Sequence, residues 1–310
     1  LVSEDPHGAV FTSVDIRDTD YLRIDNVHVD SPINGGGASK LVSVSEGSNH
    51  VQFLNSEVNG LIDNIFSGHY GLYTSDASNV TFAGNNVHNI KIGGVFTHTQ
   101  GLTVSGNSVD YTGADSFKFS GVRDVLIEGN MGSRHFYPAE GEHLDFIQFQ
   151  GSDSSDVVIR GNVSLLGTHA SVQGIFLDDA HYTNFLIEDN VIATGMIRGV
   201  SVSSGTNIVA RNNTLINLAG EGSKATKVLG VNESYGNIMT SYLQDAGKDA
   251  NLTLQNTDPD KPFYYADYFA NAEAGRGMTL EDLLATPGTL AETMGAVGTI
   301  EAFIKQAYSR

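Results

Sequence analysis

Short stretches of alternating apolar and polar residues recur along most of the chain, and six of them end in the pattern apolar-x-x-Asn. The copies are FAGN at 82–85, VSGN at 104–107, IEGN at 127–130, IRGN at 159–162, IEDN at 187–190 and VARN at 209–212. Their Asn residues are 22, 23, 32, 28 and 22 positions apart, and weaker copies precede them around Asn26 and Asn55. A pattern that returns at such intervals indicates a repeat architecture.

A second short strand precedes each of these copies. It reads GLYT at 71–74, GVFT at 94–97, SFKF at 116–119, FIQF at 146–149, GIFL at 174–177 and GVSV at 199–202. A unit of two or three short strands cannot bury its apolar face alone, but stacked units form a continuous core. We expect each Asn to adopt the left-handed conformation at a turn and to hydrogen-bond to the Asn of the next coil. The pattern predicts an all-β fold, a right-handed parallel β-helix (a solenoid), over residues 1–240.

The repeat is lost in residues 241–310. Thr289 and Glu292 have the spacing of a capping box, and Ile300, Phe303 and Ile304 follow at helical spacing. We therefore predict a C-terminal extension with a capping helix that covers the solenoid. The alternative for this region is oligomerisation.

Side chains of a strand alternate between two faces, so aligned strands predict columns along the solenoid axis. The predicted outward column is Tyr73, Phe96, Lys118, Gln148, Phe176 and Ser201. The residues near the start of each strand form a second column, which contains Asp115, Asp145, Gln173 and Arg198. We expect Lys118 to have Phe96 on one side and Gln148 on the other, and Asp115 to lie beside Asp145.

The longest interval between repeats contains the loop GSRHFYPAEGEH at 132–143, which we expect to rise beside Lys118 and Asp145. Loops on a rigid scaffold are the usual place for binding and catalytic residues. The net charge is −19 and only 17 residues are Lys or Arg, which argues against duplex nucleic acid as a partner. Some of these scarce cations fall near this loop and favour an anionic polymer as the substrate. No apolar run is long enough to span a bilayer.

A Lys near Arg and apolar surface can act as a base, and an Arg can hold a uronate carboxylate. His or Tyr side chains of the loop can pass a proton to the leaving oxygen, a set that suits β-elimination. The candidate catalytic residues are Lys118, Arg134, His135, Tyr137, His143 and Asp145.

Two carboxylates one coil apart, Asp115 and Asp145, permit a different chemistry. Such a pair can be the acid and base of glycoside hydrolysis. Asp145 can instead bind Ca²⁺ together with Glu140 and Glu142. An Asp that caps a turn is the structural alternative for both. Motifs for organic cofactors are absent from the sequence, so calcium is the only cofactor that we consider.

Sugar rings stack on aromatic side chains, and an exposed row of aromatic side chains is a candidate binding surface for a polysaccharide. The candidate substrate-binding residues are Tyr73, Phe96, Asp115, Gln148, Phe176 and Arg198. In LDDAH at 177–181, we expect Asp178 and Asp179 to form a plain turn about 16 Å from the Asp145 column.

The coil repeat over residues 10–235 resembles the right-handed parallel β-helix superfamily of polysaccharide lyases, epimerases and hydrolases, which includes phage depolymerases. The resemblance implies a polysaccharide as the substrate. Lyases similar to alginate lyase and chondroitinase B use a Lys base and an Arg, often with Ca²⁺, and Lys118 with Arg134 or Arg198 are the matching residue types. Polygalacturonase-like hydrolases stack Asp, Asp, His and a basic residue on successive coils. Here that column has Gln173 in place of His.

We therefore expect a secreted or virion-borne lyase that cleaves an acidic polysaccharide. The first residues do not read as a signal peptide, which leaves this expectation unchanged. The alternatives are a hydrolase that uses Asp115 and Asp145, a C5-epimerase, and a non-catalytic sugar-binding or adhesive solenoid.

Overall fold

A computed structural model of the protein describes residues 1–31, 39–60, 69–135, 144–165, 172–220 and 225–308. Its strands, numbered in chain order, form three sheets that contain nine, nine and twelve strands. Neighbouring strands within each sheet come from successive coils, and every pairing is parallel except that of β29 with β30. This arrangement is a parallel β-helix, as the repeat predicts.

Sheet 1 contains β2 (Val14–Arg17), β5 (Lys40–Ser45), β8 (Tyr70–Ser75), β11 (Ile92–Thr97), β14 (Phe117–Ser120), β17 (Leu144–Gln150), β20 (Val172–Asp178), β23 (Arg198–Val202) and β26 (Lys227–Leu229). Sheet 2 contains β3 (Arg23–Asp25), β6 (Asn49–Leu54), β9 (Ser78–Ala83), β12 (Gln100–Ser105), β15 (Arg123–Glu128), β18 (Ser154–Arg160), β21 (Tyr182–Glu188), β24 (Gly205–Arg211) and β27 (Glu233–Tyr235).

Sheet 3 contains β1 (Val10–Phe11), β4 (His28–Asp30), β7 (Glu57–Asn59), β10 (Asn86–Ile90), β13 (Ser108–Thr112), β16 (Met131–His135), β19 (Val163–Leu165), β22 (Val191–Thr194), β25 (Thr214–Asn217), β28 (Ile238–Ser241), β29 (Gly247–Lys248) and β30 (Leu252–Gln255). The pairing of β28 with β30 carries this sheet past the predicted domain boundary at residue 240.

A ladder of buried Asn side chains runs between sheets 2 and 3. In each step, Nδ2 of one Asn donates to Oδ1 of the Asn in the next coil, and the same Oδ1 accepts the backbone N–H of the first Asn. For Asn85 and Asn107 these distances are 2.9 and 3.0 Å. The ladder consists of Asn85, Asn107, Asn130, Asn162, Asn190, Asn213, Asn237 and Asn251. The predicted Asn–Asn hydrogen bonds are therefore confirmed, except that Asn213 takes the place predicted for Asn212.

The left-handed residue is the one before each ladder Asn from Asn85 to Asn237, so the sequence interpretation placed it one position too late. The residues with positive φ there are Gly84, Gly106, Gly129, Gly161, Asp189, Asn212 and Gly236. Gly adopts this conformation without strain, and Asp and Asn tolerate it best among the other residues. Asn26 and Asn55 also have positive φ, at 61° and 46°. These weak copies therefore occupy the turn position and not the ladder.

The chain after β30, residues 256–308, lies along the outer face of sheet 3 and is called the tail below. Strands β19, β22 and β25 are buried on both faces, and their outward residues Val163, Leu165, Val191, Ala193 and Ile216 are apolar. The tail covers this face with buried aromatic and aliphatic side chains, among them Tyr265, Phe269 and Leu283.

Residues 241–308 contain five 3₁₀ turns and one α-helix. The turns are Leu243–Asp245, Tyr265–Asp267, Gly275–Gly277, Glu281–Leu283 and Leu290–Glu292, and the helix, α1, is Val297–Ala307. Thr289 is the N-cap residue of the 3₁₀ turn Leu290–Glu292 and not of α1, which begins at Val297. Glu292 accepts the backbone N–H of Gly288 at 2.8 Å. Helix α1 packs on sheet 3 through buried Ile300, which confirms the predicted helical cap.

Within the described ranges, no helix has the length and apolar character that a bilayer crossing requires.

Candidate functional site

The outer face of sheet 1 carries the predicted polar column over four coils. Lys118 pairs in register with Gln148, Gln148 with Phe176, and Phe176 with Ser201. Lys118 is half-buried, whereas Gln148, Phe176 and Ser201 are buried. The prediction that these four side chains become vertical neighbours is confirmed.

Phe96 does not belong to this column, and its prediction as a substrate-binding residue is wrong. Val95 pairs in register with Lys118, and Phe96 pairs with Phe119. The Phe96 ring is fully buried and lies 4.9 Å from the ring of Phe119, inside the solenoid. A one-residue shift in alignment moves every side chain of a strand to the other face. Gly94 permits the inward ring, since a Cβ there would lie 2.6 Å from it.

Asp145 lies at the start of β17, beneath this face. Its side chain is fully buried, and neither carboxylate oxygen has a hydrogen-bond partner among the described residues. Burial raises the pKa of Asp145 to about 7, although the positive charges of Lys118 and Arg198 act to lower it. The negative charge of Asp178 adds a smaller rise, and the Gln173 amide a smaller reduction. A carboxyl group in this state changes its charge near neutral pH.

The two cations near Asp145 are each held by a glutamine. Lys118 Nζ donates to Gln150 Oε1 at 3.0 Å, and Gln150 Nε2 donates to Asp179 at 3.1 Å. Arg198 Nη1 donates to Gln173 Oε1 at 2.9 Å, and the guanidinium lies 4.7 Å from the centre of the Phe176 ring. We name Lys118, Asp145, Gln150, Gln173, Phe176 and Arg198 the Asp145 cluster.

Asp115 lies beside Asp145, as predicted, but its carboxylate accepts a hydrogen bond from the backbone. Its Oδ1 accepts the backbone N–H of Asp145 at 3.1 Å, and the Asp115 side chain is buried. This is the turn-capping role that was the structural alternative. The negative charge of Asp178, which the sequence interpretation had assigned to a plain turn, also acts on the pKa of Asp145.

Arg134 and His135 lie on β16, which belongs to sheet 3 and not to sheet 1. Arg134 forms an ion pair with Asp110 and lies 4.3 Å from the centre of the Tyr111 ring. His135 is buried, and its Nε2 lies 3.2 Å from the Ser116 hydroxyl. The prediction that these two residues act in the groove is therefore wrong, because Arg134 is paired with Asp110 on sheet 3 and His135 is buried.

Tyr73 lies in the same outward column two coils before Lys118, since Tyr73 pairs with Val95. Lys40 Nζ lies 3.5 Å from the centre of the Tyr73 ring. Burial acts to raise the pKa of Tyr73, but hydrogen bonds from Lys40, Ser75 and Thr97 and the charge of Lys40 lower it overall.

Four predicted residues, Tyr137, Glu140, Glu142 and His143, lie outside the described residues. Among the described residues, no group of three or more His, Asp and Glu side chains can hold a metal ion. The predicted calcium site, which consists of Glu140, Glu142 and Asp145, stays a prediction.

Gln150 is the cluster member that the sequence interpretation missed. It lies two positions after Gln148 in FIQFQ, which places both side chains outward. It also pairs in register with Asp178. The alternation of polar residues to the end of β17 was the signal that could have found it.

The model of the family described as "Right handed beta helix region" matches residues 12–215. The chain therefore belongs to the right-handed β-helix family, which confirms the predicted fold class and the resemblance to this superfamily. No curated protein matches the chain in sequence.

The solved structures that match this chain include the following three. PfbA, a surface adhesin of Streptococcus pneumoniae, has a TM-score of 0.53 and 13% identity, and the match covers 72% of this chain and 61% of that one. A second PfbA structure has a TM-score of 0.39 and 10% identity, with 74% and 81% covered. DFA-IIIase from Arthrobacter chlorophenolicus A6 without its lid has a TM-score of 0.37 and 13% identity, with 76% and 58% covered. At these identities the likeness concerns the fold alone.

Proposed function

We propose that this β-helix is a carbohydrate-active enzyme that cleaves a uronate-containing polysaccharide by β-elimination at the Asp145 cluster. The observation that carries the proposal is the burial of the Asp145 carboxyl group beside the two cations Lys118 and Arg198 of sheet 1. This burial raises the pKa of Asp145 to about 7. Perturbed carboxyl groups near cations are more frequent at functional sites than elsewhere. An extracellular or virion-borne location fits such a substrate and is part of the same proposal.

Arg198 is suited to hold the uronate carboxylate. Its guanidinium has five N–H donors, and Gln173 takes only Nη1. The Phe176 ring fixes the plane of the guanidinium. A carboxylate bound there becomes a better electron acceptor when the neighbouring C5 loses its proton.

Lys118 is suited to take that proton as the general base. The electron pair of the C5–H bond forms the C4–C5 double bond while the C4–O bond breaks, and the leaving oxygen takes a proton from water. Asp145 lies too deep to touch the substrate, so we assign it a positioning role. As a carboxylate it stabilises the ammonium group that forms on Lys118.

Hydrolysis by Asp115 and Asp145 is less well supported. A hydrolase needs two carboxyl groups that face the glycosidic bond. Asp115 directs its Oδ1 to a backbone N–H, and both side chains are buried. C5-epimerisation begins with the same proton removal, and the products distinguish the two reactions.

The test is an assay on polymers of different uronates, with and without chelator. Elimination produces an unsaturated sugar that absorbs in the near ultraviolet. We expect Lys118→Met to lower the rate by about 100-fold or more. We expect Arg198→Gln to lower it by about tenfold or more. Arg160→Gln, in an ion pair on sheet 2, is the matched control and should leave the rate unchanged. Reducing ends without absorbance would overturn elimination in favour of hydrolysis.

A non-catalytic sugar-binding surface is the second candidate. It is favoured by the burial of Gln148, Phe176 and Ser201. Their burial leaves mainly Lys118 and Arg198 of this face for contact with a sugar. Under this alternative, Lys118→Met weakens polymer binding and no product forms with any polymer.

A further inference from the structure

A polar trough of about 520 Å³ lies on the outer face of sheet 1 at its N-terminal coils. Serine residues line it, from strands β5 and β8 and from the positions just before β2 and β5, namely Ser13, Ser39, Ser43, Ser45 and Ser75. Such a volume is within the range of small-ligand sites. Nothing in the proposed elimination uses this trough.

The trough shares a column with the Asp145 cluster. Asp15 pairs with Ser43, Ser43 with Tyr73, and the column continues through Val95 to Lys118. At about 4.8 Å per coil, Ser43 lies about 14 Å from Lys118 along the axis. A short oligosaccharide has a similar length, so one polymer can reach both places.

The charges in the trough differ from those of the Asp145 cluster. Arg17 is already paired, since it donates to Asp15 at 2.9 Å and to Glu46 at 3.0 Å. Lys40 lies over the Tyr73 ring. Asp76 is a third carboxylate in the lining. Three carboxylates and two engaged cations make the trough unfavourable for an anion.

Hydroxyl-rich neutral sugars suit this lining. Carboxylates accept hydrogen bonds from sugar hydroxyls, and serine hydroxyls both donate and accept. Bonds to a charged acceptor are the stronger ones, and the Arg17 ion pairs hold Asp15 and Glu46 in place. We propose that the trough binds neutral sugar units, so that the polymer carries an acidic unit at Lys118 and neutral units toward the N-terminal coil. The second part rests on the proposed function, and the first does not.

The test uses an array of neutral and uronate-containing oligosaccharides, followed by titration calorimetry with the neutral compounds that bind. We expect at least one neutral oligosaccharide of hexoses or N-acetylhexosamines to bind the wild type. We expect Asp15→Asn and Glu46→Gln each to weaken that binding by about tenfold or more. Glu128→Gln is the matched control, because Glu128 forms the same kind of ion pair with Arg160 on sheet 2.

The outcomes separate this proposal from the proposed function. If no neutral oligosaccharide of the array binds, or if binding survives both substitutions, the proposal that the trough binds neutral sugars is overturned, even if uronate cleavage is observed. If Asp15→Asn removes the binding of a neutral oligosaccharide and Lys118→Met leaves it intact, the sugar-binding role of the trough is supported, even if no polymer is cleaved. If Asp15→Asn slows the cleavage of polymers that contain neutral and acidic units but not the cleavage of short uronate oligomers, both the trough and the proposed elimination are supported.

Discussion

The burial of Asp145 has a cost in stability that depends on pH. Its pKa is about 7 in the folded protein, whereas an Asp in an unfolded chain has a pKa of about 3.9. The folded state therefore binds the proton more tightly. The resulting stability is fully present below about pH 4 and is lost as the pH rises to about 7. The loss above that pH amounts to about 4 kcal/mol.

Asp145→Asn should remove this pH dependence, because Asn does not ionise. We expect the variant to have a higher Tm than the wild type at about pH 8 and a similar Tm at about pH 4. Thermal unfolding across this range measures the difference. Asp156→Asn is the control, since Asp156 is exposed and hydrogen bonds from Asn184 and Ser155 lower its pKa. A difference in Tm that is constant with pH would contradict the account.

At the scale of the element, the Asn ladder fixes the register of the coils. Each ladder Asn satisfies backbone groups at a corner where the strands cannot. Asn85 Oδ1 accepts the Ser56 N–H at 3.0 Å, and its Nδ2 donates to the Phe53 carbonyl at 3.0 Å. A buried backbone group without a partner is costly, so the ladder contributes more than its hydrogen bonds alone.

Asn85→Ala should therefore lower the free energy of unfolding by about 3 kcal/mol. The neighbouring Asn86 is exposed, and Asn86→Ala should change it by less than about 0.5 kcal/mol. Urea unfolding of the two variants tests the comparison. Equal effects at the two positions would show that the ladder does not stabilise the coils.

At the scale of the whole molecule, the tail and the solenoid depend on each other. The outer face of sheet 3 is apolar over β19, β22 and β25 and requires a cover. Ala296 N donates to Thr214 Oγ1 at 2.9 Å, and Thr299 Oγ1 donates to the Asp189 carbonyl at 2.7 Å. These bonds join the start of α1 to two separate coils.

Phe269→Ala should loosen the tail, because the Phe269 side chain is buried against this face. We expect a loss of about 3–5 kcal/mol in stability and earlier proteolytic cleavage after residue 255. Limited proteolysis with mass spectrometry measures the cleavage sites. Leu284→Ala is the control, since Leu284 is 39% exposed. Cleavage that begins within sheets 1 and 2 would contradict a separate loosening of the tail.

The sequence alone determined the repeat, the β-helix and most of the outward column. Each coil repeats the same alternation, and the Asn recurs where the same backbone groups need a partner. Local pattern therefore carried enough information for Lys118, Gln148 and Phe176, which the register places as predicted. The helical spacing of Ile300 and Phe303 was likewise sufficient to predict α1.

Only the tertiary structure decided which side of the molecule each charged residue reaches. Arg134 is close to the predicted groove in sequence, but it lies on sheet 3 beside Asp110. Phe96 faces inward, where Gly94 of the same strand leaves space for its ring and the ring packs against Phe119 of the next coil. Burial, which sets the pKa of Asp145, depends on neighbours from several coils. Such contacts between distant parts of the chain are not encoded in any one repeat.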